Sequence, residues 1–295
     1  MKHAILGAGG VGGLVAGVLA NGGEDVTLVV RPETVSAYPP RLRVERPSGT
    51  IEASAAVRSS LDSLVDVLWI TVKAYQLPPA LRGVPRSGAA DTIVPLLNGL
   101  DHVALLRSHF TAGQVVPGTI AVEAERVAPG HIIQRSPFAR VVLSATGEAQ
   151  LSGVAGLFRA AGFTCEFQAG ETAVLWSKLA FLAPFALVST AADMNKEQFF
   201  ADPEWRARLE SAVREACAVA AGEGAPLDAS KIFATLAALP GPMRSSMQKD
   251  VAAGRTPELD AIGGAIVRAG ARHAVPVPVI QGLVATIGAR AAASR

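Results

Sequence analysis

The sequence predicts a two-domain chain: an α/β domain on a parallel sheet over residues 1–168, then an all-α domain over residues 169–295. Three observations carry this. Short apolar or β-branched runs alternate with helix-sized segments through the first hundred residues, the signature of βαβ units. A glycine cluster lies directly between the first of those runs and the first helix-sized segment. After Gly170 the strand signal disappears and only helical spacing remains.

The elements follow in order. His3–Leu6 is the first strand, and Val11–Asn21, rich in Gly and Ala, suits a helix packed tightly on a sheet until Gly22-Gly23 ends it. Val26–Val30, Val65–Val72 and Thr92–Leu97 are further buried strands. From Val115 the runs shorten: Val115–Val122, Gly130–Gln134 and Ala139–Ser144, with a turn at Pro129-Gly130, read as hairpin-connected strands extending or flanking the sheet. Gln150–Ala161 has helical spacing, and Phe163–Phe167 is a last strand. Glu171–Asp193, Pro203–Glu223, Asp228–Ala238, Pro257–His273 and Pro276–Ala293 read as helices, punctuated by Gly and Pro. The Ala-rich tail Ala289–Arg295 is expected to fray.

Composition narrows the function classes. A chain of 295 residues suits two domains. Lys plus Arg is 27 and Asp plus Glu 25, a formal charge of +2, which argues against nucleic acid as a partner. With 50% hydrophobic and 18% charged residues, disorder is excluded. Cys165 and Cys217 are too few for a disulfide framework or a metal cage and read as small apolar residues of a reducing compartment. His102, His109, His131 and His273 lack metal-ligand spacing and read as surface or turn residues; His3, opening the first strand, reads as structural. No metal is expected. No signal-peptide pattern is present. The longest low-charge stretch, Leu179–Ala192, is shorter than the roughly 20 residues needed to cross a bilayer and contains Pro184, so it reads as a buried core helix. The expectation is a cytoplasmic protein with no membrane partner, whose apolar helices leave room for a homodimer.

Gly7-Ala8-Gly9-Gly10-Val11-Gly12 fits G-x-G-x-x-G, and its place between a strand and a helix gives the pattern weight. Gly7 permits the tight turn, Gly9 lets the backbone approach a pyrophosphate, and Gly12 lets the helix close on the strand. Free N–H groups at the helix start would hold the anion. This makes the first domain a Rossmann-type dinucleotide-binding domain. At the end of the second strand, about twenty residues further on, stands Arg31 rather than the acid that bonds a ribose 2′-hydroxyl, which favours NADP over NAD. Lys73 and Asn98-Gly99 follow two further strands and outline one crevice at the carboxyl edge of the sheet.

In the helical half, Lys178 sits in the apolar run Val174–Leu182; it either snorkels to solvent or is buried for a purpose, with a lowered proton affinity. Ser245-Ser246-Met247, Asp250 and Gly254–Asp260 form a polar cluster before the next helix. Thr256 as N-cap, Pro257 in the first turn and Glu258 near the helix dipole would account for that segment on structural grounds alone.

The ordered set Gly7–Gly12, Arg31, Val72-Lys73-Ala74, Asn98-Gly99, Trp176–Leu179, Ser245–Met247 with Asp250, and Thr256–Asp260 resembles the ketopantoate reductase (2-dehydropantoate 2-reductase) family over essentially the whole chain. That resemblance implies NADPH-dependent reduction of ketopantoate to pantoate, on the path to pantothenate and coenzyme A, in a cleft between the two domains. It implies Lys178 as general acid and Glu258 beside it and the nicotinamide ribose. It also implies Ser246 at the substrate carboxylate, Asn98 beside nicotinamide and substrate oxygen, and Lys73 and Arg31 on the cofactor. One departure bears on substrate. Where the family carries asparagines four and eight residues after its lysine, this chain has Leu182 and Ala186. An apolar wall there favours a 2-keto acid or other ketone with a hydrocarbon side chain. Two further classes stay open: a non-catalytic NADP-binding sensor on the same fold, and a dehydrogenase of branched or β-hydroxy acids, which fits Ser246-Met247 and Thr256–Asp260 less well.

Overall fold

The computed structural model describes residues 1–293. The chain divides into two compact units: residues 1–97 with 102–174, and residues 98–101 with 175 onward.

The first unit is built on a five-stranded, fully parallel sheet of β1 (Lys2–Leu6), β2 (Asp25–Val29), β5 (Ala56–Arg58), β6 (Val65–Ile70) and β7 (Ala90–Pro95), in the order β5-β2-β1-β6-β7. The order reverses between β1 and β6, and that switch point is where a ligand crevice opens in such sheets. Helix α1 (Gly10–Asn21) crosses from β1 to β2, its Gly- and Ala-rich residues buried. Strand β6 stops at Ile70 rather than at Val72; just past it the Thr71 amide and hydroxyl both donate to the Leu6 carbonyl, at 3.0 and 3.2 Å.

The strands expected beyond Val115 do not extend this sheet. They belong to two others. In one, β3 (Arg41–Arg46), β4 (Gly49–Ser54), β9 (Ala124–Ala128) and β10 (His131–Gln134) run in the order β4-β3-β10-β9; a hairpin does turn at Gly130, but its first arm is Ala124–Ala128 rather than the expected Val115–Val122, and β10 pairs with β3 in parallel. In the other, β8 (Gly118–Ala121), β11 (Arg140–Ser144) and β12 (Thr164–Gln168) surround β11. Helix α2 (Leu77–Ala80) and α3 (His102–His109) follow β6 and β7, and α4 (Glu148–Ala160) precedes β12. The core gathers around Trp69, which meets Phe158 edge-to-face at 5.7 Å, with Phe163 stacked on Phe158 at 5.4 Å. His3 is buried there and accepts from Trp69 Nε1 at 3.2 Å, as a structural residue would.

The second unit is helical: α5 (Glu171–Ala192, whose first turn belongs to the first unit), α6 (Lys196–Ala201), α7 (Pro203–Gly222), α8 (Ala229–Ala237), α9 (Ser246–Ala252), α10 (Ala265–Arg272) and α11 (Pro278–Ala293). Side chains close the helix starts. Asp202 caps α7 ahead of Pro203, Asp228 caps α8, Ser245 caps α9, and the Glu215 carboxylate accepts from both Val279 and Ile280 at 2.9 Å to cap α11. Helix α5 runs 22 residues, straight through Pro184, and on length and composition could cross a membrane; 67% of its apolar window is buried within the protein, as for a core helix. The helix expected from Pro257 starts instead at Leu259 and passes first through a π-helical turn, Asp260–Gly264. The tail expected to fray is helical to Ala293, and its last two residues lie outside the described ones. Another correction concerns His102: it is buried at the start of α3 rather than on the surface. Both cysteines are free and buried, and burial pushes the Cys165 thiol up to about 11.

Candidate active site

In the α/β unit the glycine loop links β1 directly to α1. Gly7 sits at φ +99°, a left-handed conformation that favours glycine, and the Thr71 hydroxyl donates to its carbonyl at 2.7 Å. A Cβ at Gly12 would come within 2.1 Å of the Gly7 carbonyl oxygen, so helix and strand close only because none is there. Gly10 is equally tight: a Cβ there would come 2.0 Å from the Ala124 carbonyl oxygen. Gly9 is the contrast. It is the N-cap of α1, no side chain caps the helix there, and nothing lies within 4 Å of where its Cβ would be. The first turn of α1 thus ends in an open cradle that suits a pyrophosphate. The loop is held by a residue that sequence reasoning passed over: the Tyr38 hydroxyl donates to the Ala8 carbonyl at 3.2 Å.

Arg31 lies just past the end of β2, its side chain 76% exposed and 3.4 Å from Glu33. Lys73 opens the turn after β6 and is half-buried. Both stand at carboxyl ends of strands flanking β1, where the residues present fit a dinucleotide with an extra phosphate.

In the helical unit three predicted residues meet. Lys178 Nζ donates to Asn98 Oδ1 at 2.8 Å, and Asn98 Nδ2 donates to Glu258 Oε2 at 3.1 Å. Lys178 therefore does not snorkel freely. Burial pushes its ammonium down to about 8, with the Glu258 charge opposing the shift. Glu258 is not the first-turn residue of a helix capped by Thr256. It precedes Leu259, where the helix begins, and its carboxylate faces the Asn98 amide.

Ser246 stands apart from this chain. It is exposed at the first position of α9, and among the described residues no hydrogen bond joins it to Lys178, Asn98 or Glu258. Its neighbour Ser245 is buried and takes part in packing instead, accepting from Ser189 at 2.8 Å and from the Gln248 amide at 3.1 Å. Asp250 is buried and accepts from Arg255 Nε at 2.9 Å, which ties down the loop before Glu258.

Residues 3–147 match the family described as Ketopantoate reductase PanE/ApbA, and residues 172–291 match its C-terminal counterpart. A 2-dehydropantoate 2-reductase of Caulobacter vibrioides is 34% identical, with 98% of each chain covered. The chain belongs to the ketopantoate reductase family. It is accordingly an oxidoreductase, and its architecture is that of solved family members. A PanE/ApbA family ketopantoate reductase from Ralstonia eutropha superposes with a TM-score of 0.88 at 26% identity over 100% of this chain and 99% of that one. The fold is shared more widely: a D-mandelate dehydrogenase solved with NADH and anilino(oxo)acetate superposes equally well, TM-score 0.88, at 23% identity over 100% of this chain and 99% of that one. In this member of the family, the positions after the lysine are Leu182, half-buried, and Ala186, buried.

Proposed function

We propose that this ketopantoate reductase family member reduces a 2-keto acid with NADPH, ketopantoate to pantoate first among the candidates, the α/β unit binding the cofactor and the helical unit supplying the proton. The observation that carries the proposal is the hydrogen-bonded chain Lys178–Asn98–Glu258. When bound, NADPH supplies the hydride. The carbonyl oxygen then gains negative charge and needs a proton. Lys178, at about 8, is protonated at neutral pH yet a far better donor than an ordinary lysine. Asn98 accepts from the ammonium and aims it, while the Glu258 charge favours its protonated form. The open N-terminus of α1 at Gly9, with Gly7–Gly12 around it, takes the pyrophosphate; Arg31 takes the 2′-phosphate and Lys73 assists. Ser246, with an exposed hydroxyl, takes the substrate carboxylate.

A second substrate class has its own support. Leu182, one turn beyond Lys178, is half-buried and offers no hydrogen bond, which favours a keto acid with a hydrocarbon side chain. The test is oxidation of NADPH against ketopantoate, 2-ketoisovalerate, 2-ketoisocaproate and an aromatic 2-keto acid, with Lys178→Ala alongside. Turnover of ketopantoate that vanishes in the variant supports the first candidate; turnover of the apolar acids alone supports the second. NADPH binding without turnover of any of them sinks both.

A further inference from the structure

We propose that Arg268 is a positioning residue for the Asn98 amide: with Asp101 and Asp260 it clamps the segment Asn98–Asp101 onto the turn that follows Glu258. This rests on the catalytic role assigned above to the Lys178–Asn98–Glu258 chain.

Residues 98–101 follow β7 in the chain but group with the helical unit. Two ties beyond the Asn98–Glu258 bond hold them to residues 258–264. Gly99, at φ +90°, lies so close to the π-helical turn that a Cβ would come 2.2 Å from the Ala261 carbonyl oxygen. Then the Arg268 guanidinium reaches both sides at once. It donates to Asp101 Oδ2 from Nε at 3.2 Å and from Nη2 at 2.6 Å, and to Asp260 Oδ1 from Nη1 at 2.6 Å. It also donates to the Asp260 carbonyl oxygen at 3.1 Å. A planar fork between two carboxylates fixes orientation as well as distance. Gly264 leaves the room for it, since a Cβ there would stand 2.6 Å from Asp260 Oδ1 and 3.1 Å from Arg268 Nη1. The π-helical turn itself, Asp260–Gly264, is a rare element of the kind frequently found at functional sites.

The geometry explains why such a clamp is needed. Asn98 must present its oxygen to an ammonium and its NH2 to a carboxylate; a small rotation of its backbone loosens both bonds together. The segment is four residues long and ends in the Asp101 tie, so the clamp sets the rotation.

Three variants, Arg268→Ala, Arg268→Lys and Asp101→Asn, are compared for kcat and KM. They are also compared for the pH dependence of Lys178 modification by an amine-reactive reagent, followed by peptide mass spectrometry, a readout that needs no turnover. Arg268→Ala should lower kcat about tenfold, a misplacement effect, with KM for NADPH within about twofold of the parent. It should also move the Lys178 titration to lower pH as the Glu258 charge drifts from it. Arg268→Lys should recover only part, since an ammonium cannot fork. Asp101→Asn keeps the Arg268–Asp260 pair and should shift in the same direction by less; it decides the matter if Arg268→Ala fails to fold. An unaltered kcat and an unaltered Lys178 titration in a folded variant overturn the proposal. If the parent protein turns over no keto acid, the functional assignment fails, while the Lys178 titration still tests the clamp.

Discussion

Replacing Glu258 by Gln removes a charge and little else. The amide oxygen of the new side chain still accepts from Asn98 Nδ2, so the 3.1 Å bond to the carboxylate has a neutral successor. What disappears is the charge whose attraction opposes the burial of Lys178, which sits at about 8 with that attraction in place. An opposite charge within hydrogen-bonding reach moves a proton affinity by roughly one to three units, and an intervening amide puts this case at the low end, about one unit. The sign follows from the chemistry. A general acid works while protonated, so turnover is level below the Lys178 pKa and falls about tenfold per unit above it. In the parent enzyme the fall should begin near 8. In Glu258→Gln it should begin about one unit lower, so that at pH 8 the fraction protonated drops from about one half to about one tenth. The assay is kcat for NADPH oxidation at saturating substrate, measured from about pH 6 to about pH 10 to bracket both limbs. A variant whose alkaline limb coincides with the parent's, or lies above it, would falsify the electrostatic account of Glu258.

Arg31→Ala should raise KM for NADPH by roughly ten- to a hundredfold, the value of a charge-assisted phosphate contact. NADH kinetics should stay put, and stability should change by less than about 0.5 kcal/mol, because the side chain is mostly exposed. Gly9→Ala and Gly12→Ala should separate binding from folding: at Gly12 the new methyl lands 2.1 Å from a carbonyl oxygen and should destabilise the α/β unit by about 1–3 kcal/mol in chemical denaturation. At Gly9 it meets no atom of the protein and should cost cofactor affinity in titration calorimetry with little loss of stability. Leu182→Asn should raise the ratio of kcat/KM for ketopantoate over 2-ketoisovalerate by about tenfold, the scale of one hydrogen bond regained at a substrate hydroxyl; an unchanged ratio removes Leu182 from the specificity argument.

Much of the fold is legible because the signals are local. The strand–glycine–helix order at the N-terminus, the β-branched runs and the Gly and Pro punctuation of the helices each report on a few neighbouring residues. Strands β3 and β4 went unread although the alternation was present: Leu42, Val44, Ile51 and Ala53 are buried while their neighbours face out, and Pro47-Ser48-Gly49 supplies the turn. The charged positions between the apolar ones hid a period of two that a count would have found. The parallel pairing of β10 with β3 is different, since it joins residues some ninety positions apart and no local pattern encodes it.

The site divides the same way. Lys178 declared itself as one ammonium in an apolar helix, and the glycine loop as a motif, but neither the Asn98 amide between Lys178 and Glu258 nor the exposure of Ser246 could be read from spacing. The local chemistry around Glu258 pointed the wrong way: Thr256-Pro257-Glu258 is a plausible helix start, and the helix nonetheless begins at Leu259. Contacts that only the folded chain supplies surround that start. These are the Asn98 bond to Glu258, the approach of Gly99 to Ala261, and the Arg268 fork between Asp101 and Asp260. In the register observed, Glu258 faces an amide that also holds Lys178, and a residue with an adequate local explanation becomes one whose charge opposes the effect of burial on the Lys178 ammonium.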